Sequence, residues 1–147
     1  MASDQGVVKG KTIAYARIGN FVVHASVPNV APDESEWRAY VDWLKAVWQQ
    51  EGSVALLVFV RGKAPSVEQR GMVTSELPSD AMRIAMIMEN RALLAVVKVF
   101  GWFVPRLEVF NAGEVDRALA YLGRVRDPAL EQLLEELGVG IRSVAAR

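Results

Sequence analysis

The chain has 147 residues, one histidine, no cysteine, and equal numbers of basic and acidic residues at 17 each. This length suits a single domain, and a hydrophobic content of 52 % supplies enough apolar surface for a folded core. The missing cysteines exclude disulfides and cysteine–metal sites, the single histidine excludes a multi-histidine metal site, and the charge balance argues against nucleic acid as a partner. We therefore expect neither a metal nor a cofactor.

The first elements in the chain form a predicted β-hairpin and a helix. Residues 12–18 and 21–27 are rich in β-branched and aromatic side chains, and Gly19-Asn20 between them is typical of a tight turn. Asp33 and Glu36 have the spacing of a capping box, which predicts a helix start. An apolar stripe that includes Trp37, Tyr40, Val41, Leu44, Val47 and Trp48 then predicts a helix over 33–50 with Trp43 outside the stripe.

Three further apolar segments predict buried, parallel strands with helices between them. Residues 54–60, 83–88 and 106–110 are these strands, and the helices are expected over 66–77, 91–102 and from about 111 to 123. Ser66 with Gln69 and Asn111 with Glu114 repeat the capping spacing. Charged residues interrupt the apolar region 84–105, so no transmembrane segment is expected.

The chain is predicted to end in an amphipathic helix. Asp127-Pro128 favours a helix start, and Leu130, Leu133, Leu134, Leu137 and Ile141 would share one face that ends near Gly138–Gly140. This helix either packs on the domain or awaits a partner. We expect an N-terminal arm over 1–11, a main domain over 12–123 and a C-terminal helix and tail over 124–147. The predicted class is α/β, with a hairpin leading into a mostly parallel sheet flanked by helices.

Few residues suggest catalysis. Gly10-Lys11-Thr12 resembles part of a phosphate-binding loop, but no strand precedes it and the glycine spacing is wrong, so we interpret it as part of a frayed arm. His24 would need a nucleophile and a carboxylate such as Ser26 or Asp42 around it. We interpret it instead as a partly buried strand histidine bonded to backbone or water.

Other polar and aromatic groups have structural interpretations of the same kind. The carboxylate pairs Glu34/Glu36 and Glu135/Glu136 are typical of solvated helix faces or favourable end charges. Trp37, Trp102 and Phe103 would fill the core or wall a pocket for an apolar ligand.

Ser66 is the most informative polar residue in the sequence. It should follow the carboxyl end of the 54–60 strand and begin a helix, a place where parallel α/β sheets receive ligands and phosphates. The same position also suits a serine that only caps the helix. A phosphate on Ser66 would add roughly −1.5 to −2 charges and could break a protein contact.

Scattered motifs over about residues 12–123 carry a resemblance to a known fold. They are Ala64-Pro65-Ser66, Gln69-Arg70, Arg83-Ile84-Ala85, Trp102-Phe103, Val109-Phe110, Glu114 and Ala118-Leu119-Ala120-Tyr121-Leu122-Gly123. With the opening hairpin, they resemble a bacterial branch of STAS-like domains, the fold of anti-sigma-factor antagonists. Regulatory members carry an Asp-Ser-Ser/Thr-Gly phosphoacceptor loop. Here the corresponding loop is Arg61-Gly62-Lys63-Ala64-Pro65-Ser66, in which only Ser66 is comparable.

The resemblance and the missing catalytic motif together predict a non-enzymatic regulatory or protein-interaction domain. A signalling partner would dock around the loop after the third predicted strand, at Ser66, Arg61, Lys63 and Arg70. The alternative is a binder of a lipid or other small apolar molecule held between sheet and helices, near Trp37, Trp102 and Phe103. We expect a cytoplasmic protein, since no export signal is visible, and self-association through the tail helix or a sheet edge is a further prediction.

Overall fold

The architecture is a mixed six-stranded β-sheet with helices on both faces, in a computed structural model that describes residues 6–61, 63, 65–88 and 106–139. The strands are β1 (Val8–Lys9), β2 (Ile13–Ile18), β3 (Phe21–Ser26), β4 (Val54–Val60), β5 (Met82–Met88) and β6 (Leu107–Asn111), and they lie side by side in chain order. The β1–β2 and β2–β3 pairs are antiparallel, and β3 to β6 are parallel. The predicted α/β class and the parallel run of the three buried strands are confirmed.

The opening hairpin forms where the turn residues predict it. Ile18 pairs with Phe21, so Gly19 and Asn20 alone make the turn. Gly19 has a φ of 59°, a left-handed conformation that glycine adopts at little steric cost. The predicted frayed arm is wrong for Val8 and Lys9, because their backbone pairs with β2.

Helix α1 (Glu34–Glu51) begins at Asp33, whose carboxylate accepts hydrogen bonds from the N–H groups of Ser35 and Glu36. It ends at Gly52, which has a φ of 84°. The capping box predicted here is only half right. Glu36 does not bond back to Asp33. Its carboxylate binds the chain just before β2, because the arm passes close to this end of the helix.

The remaining helices of the described residues start at predicted caps. Helix α2 (Val67–Glu76) has the full Ser66/Gln69 capping box, and α3 (Val115–Tyr121) follows a 3₁₀ turn (Ala112–Glu114) that holds the Asn111 box. Helix α4 (Pro128–Glu136) starts after Asp127. None of the helices in these ranges is long and apolar enough to cross a membrane. The predicted helix 91–102 lies outside the described residues, as do Gly140 and Ile141.

The two faces of the sheet are covered by different helices. Because side chains alternate along a strand, Leu56 and Val58 of β4 face α1 and α2, whereas Leu57 and Phe59 pack with α3 and α4. The leucines of the tail helix are buried in that second layer: Leu130, Leu133, Leu134 and Leu137. The helix therefore packs on the domain. In α1, both Trp43 and Trp48 are half-buried at the margin of the core, so Trp48 is less enclosed than its stripe predicted.

Candidate functional site

A cavity of about 100 Å³ lies between the sheet and helices α1 and α2. Strands β3 to β6 form its floor, and the two helices form its walls. The lining is mostly apolar and includes Trp37, Leu44, Leu56, Val58, Val73, Ile84 and Met86. The predicted pocket residue Trp37 thus lies in its wall, whereas Trp102 and Phe103 lie outside the described residues.

Two buried polar side chains, His24 of β3 and Tyr40 of α1, also line this cavity. Their ring centroids are 4.6 Å apart, and the Trp37 ring lies 5.8 Å from that of His24. Among the described residues, neither His24 Nε2 nor Tyr40 Oη has a hydrogen-bond partner. Unpartnered buried polar atoms are uncommon and costly, so they mark this region as unusual for a core.

Burial keeps both of these side chains uncharged. Desolvation lowers the pKa of His24 from 6.5 to about 3, so the imidazole is neutral at physiological pH. Desolvation, aided by the nearby Tyr15, raises the pKa of Tyr40 far above 10.0. His24 and Tyr40 therefore present uncharged polar atoms to anything that enters the cavity.

Within the described part of the chain, the two groups that a catalytic His24 was expected to need are engaged elsewhere. The Ser26 hydroxyl donates to the Phe59 carbonyl at 3.3 Å and accepts from the Arg61 N–H at 2.8 Å. Asp42 is exposed and pairs with Arg38 at 2.6 Å. The predicted partners of His24 are thus bonded elsewhere. The backbone bond expected of His24 is not found at Nε2, because no described residue donates a hydrogen bond to this atom or accepts one from it.

The rim of the cavity is polar and positively charged. Lys63, Pro65, Arg70 and Thr74 line the cavity where the loop after β4 meets α2, and Lys63 and Thr74 are exposed. The Arg70 guanidinium donates to the Pro65 carbonyl at 2.7 Å, which ties α2 to this loop. Among the described lining residues there is no aspartate or glutamate. We call these four residues the cationic rim.

Gln69 connects the cavity wall to the rim. Its amide N–H2 donates to the Pro32 carbonyl at 2.9 Å, and its backbone carbonyl accepts from the Trp37 indole at 2.8 Å. The side chain is only 6 % exposed. The sequence predicted a capping role for Gln69 but no contact with the cavity wall, since local spacing does not show which distant carbonyl its amide would meet.

The predicted docking residues are divided between two places. Lys63 and Arg70 belong to the cationic rim, and exposed Ser66 caps α2 beside it, accepting the Gln69 N–H at 3.0 Å. Arg61 instead donates from Nε to the Ser26 carbonyl at 3.2 Å and from Nη1 to the Gly138 carbonyl at 2.8 Å. It therefore holds the end of α4 against the sheet.

The Gly10-Lys11-Thr12 segment does bind an anion, but that anion is Glu36 of the same chain. The carboxylate accepts from the N–H of Lys11 at 2.6 Å, the N–H of Thr12 at 2.9 Å and the Thr12 hydroxyl at 2.6 Å. Burial opposes ionisation of Glu36, but these bonds outweigh it and hold its pKa below 4.5. Of the two alternatives predicted for Glu36, a solvated helix face is therefore wrong, whereas its place in the first turn of α1 agrees with a favourable end charge.

No cluster of three or more His, Cys, Asp or Glu side chains that could hold a metal ion occurs within the described ranges. Comparison with protein-family models, curated proteins and solved structures gives no match to this chain. Its function is therefore inferred from the cavity and its rim.

Proposed function

We propose that this chain is a non-enzymatic binding domain that holds a small apolar molecule in the cavity between the sheet and helices α1 and α2. The observation that carries this proposal is the size of an apolar space next to an exposed rim, about 100 Å³ in a domain of 147 residues. Native cores are packed closely and leave few voids larger than a water molecule. A cavity of this size costs stability unless something fills it.

The chemistry of the walls favours an apolar occupant over water. A buried water typically makes about three hydrogen bonds, whereas an apolar cavity of roughly 150 Å³ stays dry and takes up benzene. Most of the lining here is hydrocarbon and aromatic. By that comparison, the space suits about four to six heavy atoms, such as a short carbon chain or a small ring.

The test is binding of 1-pentanol, followed through the backbone amides of Val58 and Val73 in two-dimensional NMR spectra. Both residues line the cavity. We expect saturable shifts in the wild type and none in Val58→Phe, where the added ring fills the space. Val67→Phe is the matched control, since Val67 is 67 % exposed and outside the lining, and it should bind as the wild type does. Absence of saturable binding to the wild type would refute the proposal.

Docking of a protein partner around the loop after β4 is the second candidate function. The specific observation in its favour is Val67, a large apolar side chain exposed beside Ser66 and Lys63. Affinity capture should then recover a stoichiometric partner with the wild type and lose it with Val67→Asp and Ser66→Glu. Val125→Asp is the matched control, because Val125 is equally apolar and 76 % exposed on another part of the chain. Equal recovery with all four proteins would remove this candidate.

The finer fold assignment is also part of the proposal. An antiparallel opening that leads into parallel strands, with α1 and α2 joining β3 to β4 and β4 to β5, supports a STAS-like domain. We propose that the cavity is this chain's own use of that scaffold.

A further inference from the structure

We infer that the ligand of the cavity is a small neutral alcohol, whose hydroxyl forms hydrogen bonds with His24 Nε2 and Tyr40 Oη while its carbon skeleton fills the apolar space. This inference rests on the proposed function and specifies the ligand class. It depends on two polar atoms of the cavity walls, which the proposal of an apolar binder does not use.

His24 and Tyr40 lie next to each other in the lining of the cavity. His24 comes from strand β3 in the floor and Tyr40 from helix α1 in the wall, and their ring centroids are 4.6 Å apart. The two residues are 4 % and 1 % exposed, and within the described ranges neither Nε2 nor Oη has a hydrogen-bond partner. Because the rings are neighbours, one ligand oxygen placed between Nε2 and Oη would supply the missing partner of both atoms.

The remaining neutral polar side chains of the described lining are already bonded. The Ser26 hydroxyl, the Trp37 indole N–H and the Thr74 hydroxyl each donate to a backbone carbonyl, at 3.3, 2.8 and 3.1 Å. An unsatisfied polar atom costs stability when it is buried. Among these neutral groups, the unmet hydrogen-bonding capacity is therefore concentrated at His24 and Tyr40.

The head group that suits these two atoms is an uncharged hydroxyl. Burial keeps the imidazole and the phenol neutral, so neither offers a counter-charge, and a buried carboxylate or ammonium without one is strongly disfavoured. A neutral imidazole nitrogen either donates or accepts according to its tautomer, and a phenol does both. A hydroxyl also donates and accepts, so it matches either tautomer, whereas a carbonyl oxygen only accepts.

A water molecule is less suited to the same position. A buried water typically makes about three hydrogen bonds, and His24 Nε2 and Tyr40 Oη together offer fewer. Water would also leave the apolar remainder of the cavity unfilled. An alcohol makes the same bonds and removes its carbon skeleton from bulk water, which is favourable in proportion to the apolar area buried.

The experiment measures the affinities of 1-pentanol and benzene by NMR titration of the wild type, Tyr40→Phe and Tyr121→Phe. Benzene has as many non-hydrogen atoms as 1-pentanol but no hydroxyl. Tyr40→Phe removes only the phenolic oxygen, so we expect it to weaken 1-pentanol binding about fivefold, the contribution of one neutral hydrogen bond, and to leave benzene binding unchanged. Tyr121→Phe is the matched control, because Tyr121 is half-buried outside the lining, and it should alter neither affinity.

The single histidine gives a second measurement that needs no substitution. Addition of 1-pentanol to the wild type should shift the nitrogen resonance of the imidazole Nε2, since a new hydrogen bond changes the shielding of that atom. Benzene forms no such bond and should shift this resonance far less.

The outcomes separate this inference from the proposed function. Weaker binding of 1-pentanol in Tyr40→Phe alone, together with an imidazole shift that only 1-pentanol produces, supports the alcohol. If Tyr40→Phe leaves the affinity for 1-pentanol unchanged, or weakens both probes equally, the alcohol is overturned and the apolar binder stands. The same holds if both probes shift the imidazole nitrogen equally. Binding of neither probe to the wild type refutes the proposed function itself.

Discussion

The buried imidazole of His24 should make the stability of this protein depend on pH between 7.5 and 5.0. In the folded state the pKa of His24 is lowered from 6.5 to about 3 by burial, whereas the unfolded chain returns it to its ordinary value. Between those two values the unfolded state binds a proton that the folded state does not. The contribution that neutral His24 makes to the free energy of unfolding is therefore fully present above pH 6.5. It is lost progressively as the pH falls from there toward 3.

The size of the effect follows from proton linkage. At pH 5.0 the unfolded histidine is almost fully protonated and the folded one almost fully neutral, so the wild type should lose about 2 kcal/mol of unfolding free energy relative to pH 7.5. This figure changes little if the folded pKa lies anywhere below 4. Because the chain has one histidine, no other imidazole contributes.

The assay is urea denaturation at pH 7.5 and 5.0 for the wild type and for His24→Leu. The substitution replaces the imidazole with an apolar side chain of similar size that cannot titrate. Carboxylates with lowered pKa values, such as Glu36 and Glu76, also stabilise the folded protein, and this contribution begins to fall near the lower end of the pH range. They do so in both proteins, so the difference between the two pH dependences isolates His24. Equal pH dependence in the two proteins would show that His24 titrates normally in the folded state, and the account of a dry, unpartnered imidazole would be wrong.

Four other substitutions test separate parts of the structure. Gly10→Ala should lower the unfolding free energy by about 1–2 kcal/mol, because a Cβ there would lie 2.6 Å from the Glu36 carboxyl and displace it from its three donors. Gly71→Ala, in open space within α2, should instead raise the unfolding free energy by about 0.5–1 kcal/mol. If the two glycine substitutions changed the unfolding free energy equally in urea denaturation, the steric argument would be contradicted. Tyr40→Phe removes an unpartnered buried hydroxyl and should raise the thermal midpoint or leave it unchanged, so a clear decrease would reveal a partner. Arg61→Gln removes the bond to the Gly138 carbonyl and should speed amide hydrogen exchange in α4 (Pro128–Glu136) but not in β4, whereas unchanged exchange would rule out this tether.

The fold was predictable where the determining interactions are local. The Ser66/Gln69 and Asn111/Glu114 boxes each join residues three apart, so their spacing alone indicates where the next helical segment begins. The apolar composition of residues 54–60 was sufficient to predict a strand covered on both faces. In each case the atoms that decide the structure are close in sequence.

The candidate site was predictable only in part. Trp37 was predicted as a possible pocket wall, and Lys63 and Arg70 as docking residues of a separate site. The structure places all three around one cavity, and their roles in binding stay predictions. Glu36 has the spacing of a capping residue, yet its carboxylate meets Lys11 and Thr12 more than twenty positions earlier in the chain. Such partners depend on how elements pack, and spacing within one element does not contain that information.

Periodicity and capping spacing predicted the order of strands β2 to β6 and of the described helices, and most of their ends, because these signals act within a few residues. Three features were not predictable in this way: the packing of α4 onto the sheet, the meeting of His24 and Tyr40 without hydrogen-bond partners among the described residues, and the cavity beneath the cationic rim. Those features depend on contacts between layers whose residues are far apart in the chain, and such packing is settled only when all the layers come together.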